Sequence, residues 1–284
     1  MESHVFVPSG QVRPAVGRFV GWRWAGGQAA ATVAVPSRHL SIIVSLDDPI
    51  DVIRMPTPVQ GSATFSALVG GLHSSPATVR AGGSAIRLEV SPFAARELLG
   101  LPAGELSSRV VDLAEVWGSA LAGLREQLAE AMSWADRFLL MEQFLEARLD
   151  GAASAAPELQ RAWDLLIRSG GTIGVHEIAS EVGWSRRHLG ERFRVEVGLT
   201  PKEAARVLRF ERACWLLDTT ALSLADVAAR CGFADQAHLN REWQRLAGST
   251  PTEWRAQELH DPRDDAEFPF VQDDRRPRHA HSAA

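Results

Sequence analysis

The 284-residue sequence predicts an α+β protein. A β-rich N-terminal part with a helical hairpin precedes an all-α C-terminal part, made of two helix-turn-helix units joined by a long helix. Three observations predict this. Residues 1 to about 90 alternate short apolar runs with Gly, Pro and Asp punctuation. Helical periodicity takes over at Ser91-Pro92. A repeat with a period near fifty residues then fills most of the last 110 residues.

Composition sets the frame. At 45% hydrophobic and 23% charged, the chain is globular rather than disordered or fibrous. Its net charge of −5 excludes a uniformly basic nucleic-acid coat. The balance is −3 over residues 1–156, zero over 157–259 and −2 in the tail, so any anion-binding surface comes from arrangement. The start MESHVFVPSGQVRP is no secretory signal, and no run approaches a membrane span, which gives a cytoplasmic setting as the expectation. Cys214 and Cys231 lie in apolar helical patterns and read as buried, inert thiols.

The expected strands are Val16–Trp24, Ala29–Val35, Leu40–Leu46, Thr64–Leu68 and Ala85–Val90. Short strands at this spacing form an antiparallel sheet or barrel. Ser91 caps the next helix and Pro92 takes its first position. Val110–Gly118 reads as a helix start capped by Asp112, with Trp117 packed on the barrel. Ser119–Met132 and Ala135–Leu149 place Leu121, Leu124, Leu128 and Met132, then Phe138, Met141 and Leu145, at helical spacing. They form a helical hairpin that covers the sheet or closes a dimer. The small residues from Gly151 to Pro157 read as a linker. The organisation is therefore 1–150, a helical region over 157–259, and a disordered tail over 260–284.

The repeat matches Ala179 with Ala228 and Gly183 with Gly232 at an offset of 49. It matches Leu189 with Leu239, Phe193 with Trp243, Gly198 with Gly248 and Pro201 with Pro251 at an offset of 50. Each copy has helix-turn-helix physics. The small alanine admits a crossing helix, and the glycine takes the turn where φ is positive. Trp184 or Phe233 plugs the junction, and Ser185 or Asp235 caps the second helix. Leu189/Phe193 and Leu239/Trp243 are i, i+4 pairs on its inner stripe. Thr200-Pro-Lys-Glu203 and Thr250-Pro-Thr-Glu253 are capping boxes with Pro at N1. Pro201–Leu217 is one helix of about 25 Å, a fit spacer for two reading helices one DNA turn (about 34 Å) apart.

This stretch resembles the DNA-binding domain of the AraC/XylS family of transcription regulators. IASEVGWSRRHLGERFRVEVGLTPKEAARVLRFERACWLL and LADVAARCGFADQAHLNREWQRLAGSTPTEWR carry the likeness, over roughly 160–257. Trp243 and Trp254 stand where family members usually have Phe or Tyr, which keeps an aromatic plug. The resemblance implies double-stranded DNA as partner, engaged in adjacent major-groove segments. It also implies a β-rich, cupin-like sensor domain with a helical dimerisation element in the first half. RNA polymerase, a small-molecule effector and a second copy of the chain are the further partners that this architecture admits. No cofactor is expected.

The outer side of each second helix is the candidate reading face. The resemblance places Arg187, Gly190 and Glu191 of the first unit, and Gln236, Ala237 and Arg241 of the second, at base-facing positions. Arg pairs with guanine, Gln with adenine, and Glu accepts from cytosine. Gly190 is too small to read a base, so the first unit reads through Arg187 and through DNA shape. Arg186, Arg192, Arg194, His238, Asn240 and Arg245 fit the DNA backbone, with the amides at Ser185. Glu196 and Glu242 are alternative partners for Arg192 and Arg245.

In the first half, Trp22, Trp24 and Arg38 are candidates for an effector pocket, as apolar walls and an anion anchor. His39 and His73 are isolated, so no metal is expected. Two other classes of function remain open: an alkyl-accepting DNA-repair enzyme and a scaffold regulator that senses nothing. Neither cysteine has a Pro-Cys-His setting.

Overall fold

A computed structural model of the chain describes residues 2–24, 26, 30–149 and 155–256. The first half comprises β1 (Glu2–Phe6), α1 (Val12–Ala15), β2 (Val16–Arg23), β3 (Thr32–Ala34), β4 (Leu40–Ser45), β5 (Ile50–Arg54), β6 (Ala63–Phe65), β7 (Ala67–Gly70), β8 (Ala77–Ala81) and β9 (Ser84–Val90). Next come α2 (Ala95–Leu99), β10 (Val110–Asp112), α3 (Ala114–Trp117), α4 (Ser119–Glu130) and α5 (Trp134–Glu146). The strands form two antiparallel sheets, ordered β1-β2-β9-β4-β7-β10 and β3-β8-β5-β6.

Strand alternation explains the layering. On β9, Ile86, Leu88 and Val90 join Leu40, Ile42 and Val44 of β4 in a core shared with the helices. Ile43 of β4 and Leu68 of β7 turn the other way and pack with Ile50 and Val52 of β5 in a second core. The larger sheet is thus covered on both faces, apolar toward the helices and mixed apolar and ionic toward the second sheet.

Several expected elements differ in detail. Thr64–Leu68 is two strands, β6 and β7, which belong to different sheets. Of Ala29–Val35 only Thr32–Ala34 pairs, and Ala29 lies outside the described residues. β1, β5 and β8 lack a clean apolar alternation and were not expected; ladder partners hold them. Ser91 makes no side-chain cap, although Pro92 does open a 3₁₀ turn that leads into α2. Val110–Asp112 is a strand on β7 and not a helix start, because its amides and carbonyls continue the sheet. Asp112 still accepts from the Ala114 amide (2.8 Å). Trp117 is buried, donates to Leu98 O (2.8 Å) and meets the ring of Phe144.

The hairpin of α4 and α5 forms where expected, with Leu121, Leu124, Leu128, Phe138, Met141 and Leu145 in the core. Met132 is a correction. At 95% exposed it lies outside the stripe, because α4 ends at Glu130 and the chain turns there. Ser133 then caps α5 by accepting from the Asp136 amide.

The second half comprises α6 (Pro157–Arg168), α7 (Val175–Glu181), α8 (Arg186–Val197), α9 (Pro201–Thr219), α10 (Leu224–Arg230), α11 (Gln236–Ala247) and α12 (Pro251–Ala256). Of the linker expected over 151–157, residues 151–154 lie outside the described residues, and Pro157 already opens α6. The tail over 260–284 lies outside them too. Among the described residues no helix is long and apolar enough to cross a membrane.

Candidate nucleic-acid interface

Each unit is built as its sequence dictates. Gly183 and Gly232 sit at φ of 70° and 71°, where a side chain would strain the turn. Ser185 accepts from the His188 amide (3.2 Å) and Asp235 from the His238 amide (2.6 Å), so both second helices are capped by their own side chains. Thr200 and Glu203 close a reciprocal capping box, which starts α9 sharply. Thr250 and Glu253 make the same bonds at α12. At 19 residues α9 is two longer than expected and spans about 28 Å.

Burial separates the two faces of each second helix. Leu189, Phe193, Leu239 and Trp243 are all 0% exposed. Ser185, Arg186, Arg187, Glu191, Arg192 and Arg194 are exposed on α8 and its cap. Gln236, Ala237, Arg241 and Arg245 are exposed on α11, while Gly190, His238 and Asn240 are half-buried. A Cβ at Gly190 would meet nothing within 4 Å, so packing does not require glycine there.

Four residues carry contacts that the sequence did not specify. Arg187 donates to Glu191 (2.9 Å), one turn on, so two of the three base-facing candidates of the first unit form one ion pair. His238 is drawn inward: its Nδ1 lies 3.2 Å from the Ala234 amide and its ring meets Phe233 edge-on. His188 makes the matching edge contact on Trp184. The offset of 50 between His188 and His238 was a legible signal of this shared packing role.

The second unit is pinned to α9 by two arginines. Arg206 Nε donates to Glu242 Oε2 (2.6 Å), and Arg209 Nη1 donates to Gly232 O (3.1 Å) at the second turn. Arg245 lies 3.7 Å from Glu242, as the alternative pairing allowed. Arg192 does not take Glu196. That carboxylate is held in bidentate fashion by Arg96 of α2, at 2.9 and 2.7 Å.

The Arg96 pair belongs to a broad contact between the halves. Phe93 meets Trp163 of α6, which meets Phe193 of α8. Ser107 donates to Gly198 O. Glu211 of α9 accepts from the Arg38 amide (2.9 Å), and Val35 packs into the core of the second unit.

Beside Arg38, between the sheets, lies an ionic cluster. Arg18 donates to Glu89 (3.0 Å), with Arg87 at 3.6 Å and His39 at 3.8 Å from the same carboxylate. His39 is therefore not isolated, which corrects the expectation; His73 Nδ1 lies 2.6 Å from Ser75 O. Burial, then Arg38, lower the His39 pKa to about 4. Burial would raise the Glu89 carboxyl, but His39, Arg18 and Arg87 together hold it down to about 2. Both values lie below those of an unfolded chain. Their stabilisation is complete above 6.5 for His39 and 4.5 for Glu89, and is lost as pH falls through about 4 and about 2. Glu211, raised by burial, acts with the opposite sign. The melting temperature is expected to drop as pH falls from 6.5 toward 4, and His39→Gln is expected to flatten that fall. Thermal melts across this range check it.

The effector candidates do not share one pocket. Arg38 sits on Glu211, 4.0 Å away through its guanidinium. Trp22 lies within β2, one residue after Gly21, whose face is covered by Trp134, so alternation sends Trp22 to the opposite face. Trp24 lines a cavity at the end of β2. Cys231 is buried as expected, whereas Cys214 is only half-buried on α9.

The repeated fold, caps and exposed faces define a tandem helix-turn-helix protein. Residues 178–257 match the family model described as a helix-turn-helix domain. The transcriptional activator RhaR of Enterobacter sp. (strain 638) is 39% identical over 71 residues, 25% of each chain. The Msm operon regulatory protein of Streptococcus mutans serotype c is 24% identical over 153 residues, 53% of this chain and 55% of the relative. The matched region thus spans from a quarter to about half the length of these curated relatives. A structure of ToxT from Vibrio cholerae shares the fold over 84% of this chain and 98% of its own, with a TM-score of 0.50 at 13% identity. Over residues 178–257 the chain is thus similar to the helix-turn-helix domains of these transcription regulators.

Proposed function

We propose that the protein is a sequence-specific DNA-binding transcription regulator. Residues 157–259 form its DNA-binding domain, and residues 1–150 sense a small molecule or join two copies. One observation carries this reading: the same split between a buried Leu-aromatic stripe and an exposed polar face occurs twice, about fifty residues apart. The curated relatives, an activator and an operon regulator by name, support it.

In this reading α8 and α11 enter adjacent major-groove segments, spaced by α9. Arg241 and Gln236 read guanine and adenine edges, and Ala237 meets a thymine methyl. Glu191 aims Arg187 along α8, and the open space over Gly190 lets the duplex approach. Arg186, Arg192, Arg194, Arg245 and Asn240 meet phosphates, with the helix amides at Ser185. His238 contributes by holding the turn, with its ring committed to Phe233.

Selection from random duplexes supplies a preferred site, and fluorescence anisotropy then measures affinity. Arg241→Ala is expected to cost about 1–3 kcal/mol on that site and to relax the base preference beneath it. Arg194→Ala is expected to weaken preferred and random duplexes alike and to reduce the salt slope by about one. A selection that does not converge overturns the reading.

The alkyl-transfer alternative finds no support at Cys231. Burial pushes Cys231 up to about 11, which keeps it protonated at neutral pH and poorly nucleophilic.

A further inference from the structure

The cavity at the end of β2 lies outside the space between the sheets. It has a volume of about 380 Å³ and opens between the sheet and the helical hairpin. The sheet contributes Arg23 and Ser84, the chain just beyond its strands contributes Trp24 and Asp47, and the hairpin contributes Ala129 of α4 and Arg137 of α5. That volume falls within the range of small-molecule sites.

Its charges are unequal in availability. Asp47 Oδ1 accepts from the Ser84 amide (2.6 Å) and from the Asp48 amide (2.7 Å). Gly83, at φ of 59°, leaves room for this, since a Cβ there would collide with that oxygen. That oxygen thus braces the start of β9. Arg137 is buried, donates Nε to Leu128 O (3.0 Å) and lies 4.9 Å above the Trp134 ring. Its Nε is used for structure while the side chain still lines the cavity. Arg23 is exposed at the strand end, on the Phe19–Gly21 face. Two guanidiniums, one from each wall, therefore line a space that holds a single acid, Asp47, and the two cations outnumber it. Trp24 and Ala129 add apolar wall.

We propose that this cavity binds a small organic carboxylate, clamped between Arg23 of the sheet and Arg137 of the hairpin, with its apolar body on Trp24. A planar guanidinium matches a carboxylate in bidentate fashion, and the indole next to it favours an apolar or aromatic body. Such a ligand ties the hairpin to the sheet at the point where Arg137 already holds the end of α4. This deepens the sensing role proposed above, and its test reads binding rather than DNA affinity, so each can fail alone.

Calorimetry and tryptophan fluorescence on the full chain test it with four probes: phenylacetate, glutarate, neutral phenylacetamide and inorganic phosphate. Saturable binding of phenylacetate or glutarate is expected, at least about tenfold tighter than phenylacetamide or phosphate. Arg23→Gln is expected to weaken it about tenfold or more with an unchanged melting temperature, since Arg23 is exposed. Trp24→Leu is expected to weaken phenylacetate more than glutarate. Binding by neither carboxylate at millimolar concentration overturns the proposal. So does equal binding of phenylacetamide or phosphate, or full affinity in Arg23→Gln.

Discussion

Trp243→Ala is expected to cost about 3–5 kcal/mol and to abolish site-specific DNA binding. Trp243 is 0% exposed and is the keystone of the second unit. Its ring meets Phe210 of α9 at 4.9 Å and Trp254 of α12 at 5.9 Å, so three helices lose a shared filler at once. The loss is a large share of the roughly 5–15 kcal/mol that holds a domain folded. Trp243→Phe is the informative control. The indole Nε1 is buried without a hydrogen-bond partner among the described residues, so losing it removes a desolvation penalty that offsets part of the lost packing. The Phe variant is expected to stay within about 1.5 kcal/mol of the native protein. Urea melts with parallel anisotropy on the selected duplex check both variants; an alanine variant that melts like the native chain overturns the argument.

Gly104→Val is expected to pry the two halves of the chain apart. Gly104 lies in the turn after α2, against the backbone carbonyls of Arg194 and Val195 on α8. Any Cβ there would collide with those oxygens, and helix backbone cannot yield as a side-chain tip can. Overpacking of this kind costs about 1–3 kcal/mol where neighbours adjust, and more where they are backbone. The Arg96–Glu196 pair and the Phe93–Trp163–Phe193 stack lie on the same seam and loosen with it. The expected result is two melting transitions in place of one and faster protease cleavage near residues 150–156. Gly100→Ala, at a glycine with nothing within 4 Å of its Cβ, controls for helix-terminal strain alone, since Gly100 also sits at positive φ. A single transition in Gly104→Val with native protease resistance overturns the account.

The helix-turn-helix pair was legible in the sequence because its determinants are local. A cap acts over three residues, an i, i+4 stripe over one turn, and a glycine at its own φ. The same holds for the hairpin of α4 and α5 up to Glu130, beyond which Met132 continued the pattern without continuing the helix. The edges of the β-domain were less legible. β1 and β8 carry polar residues on faces that ladder hydrogen bonds alone make into strands, and Thr64–Leu68 was divided between two sheets by a single bend at Ser66.

The sequence by itself determined two capped reading helices on a stiff connecting helix, their buried stripes, and the polar residues left facing outward. Tertiary structure alone decided which charges are engaged. Glu196 went to Arg96, a hundred residues away, rather than to nearby Arg192. Glu211 went to the Arg38 amide across 173 residues, and Arg38 thereby left the pocket expected of it. The physical reason is range. Backbone geometry and helical periodicity are set by neighbours in the chain, whereas the partner of a charge is whichever group packing brings within about 3 Å once the surrounding water is removed.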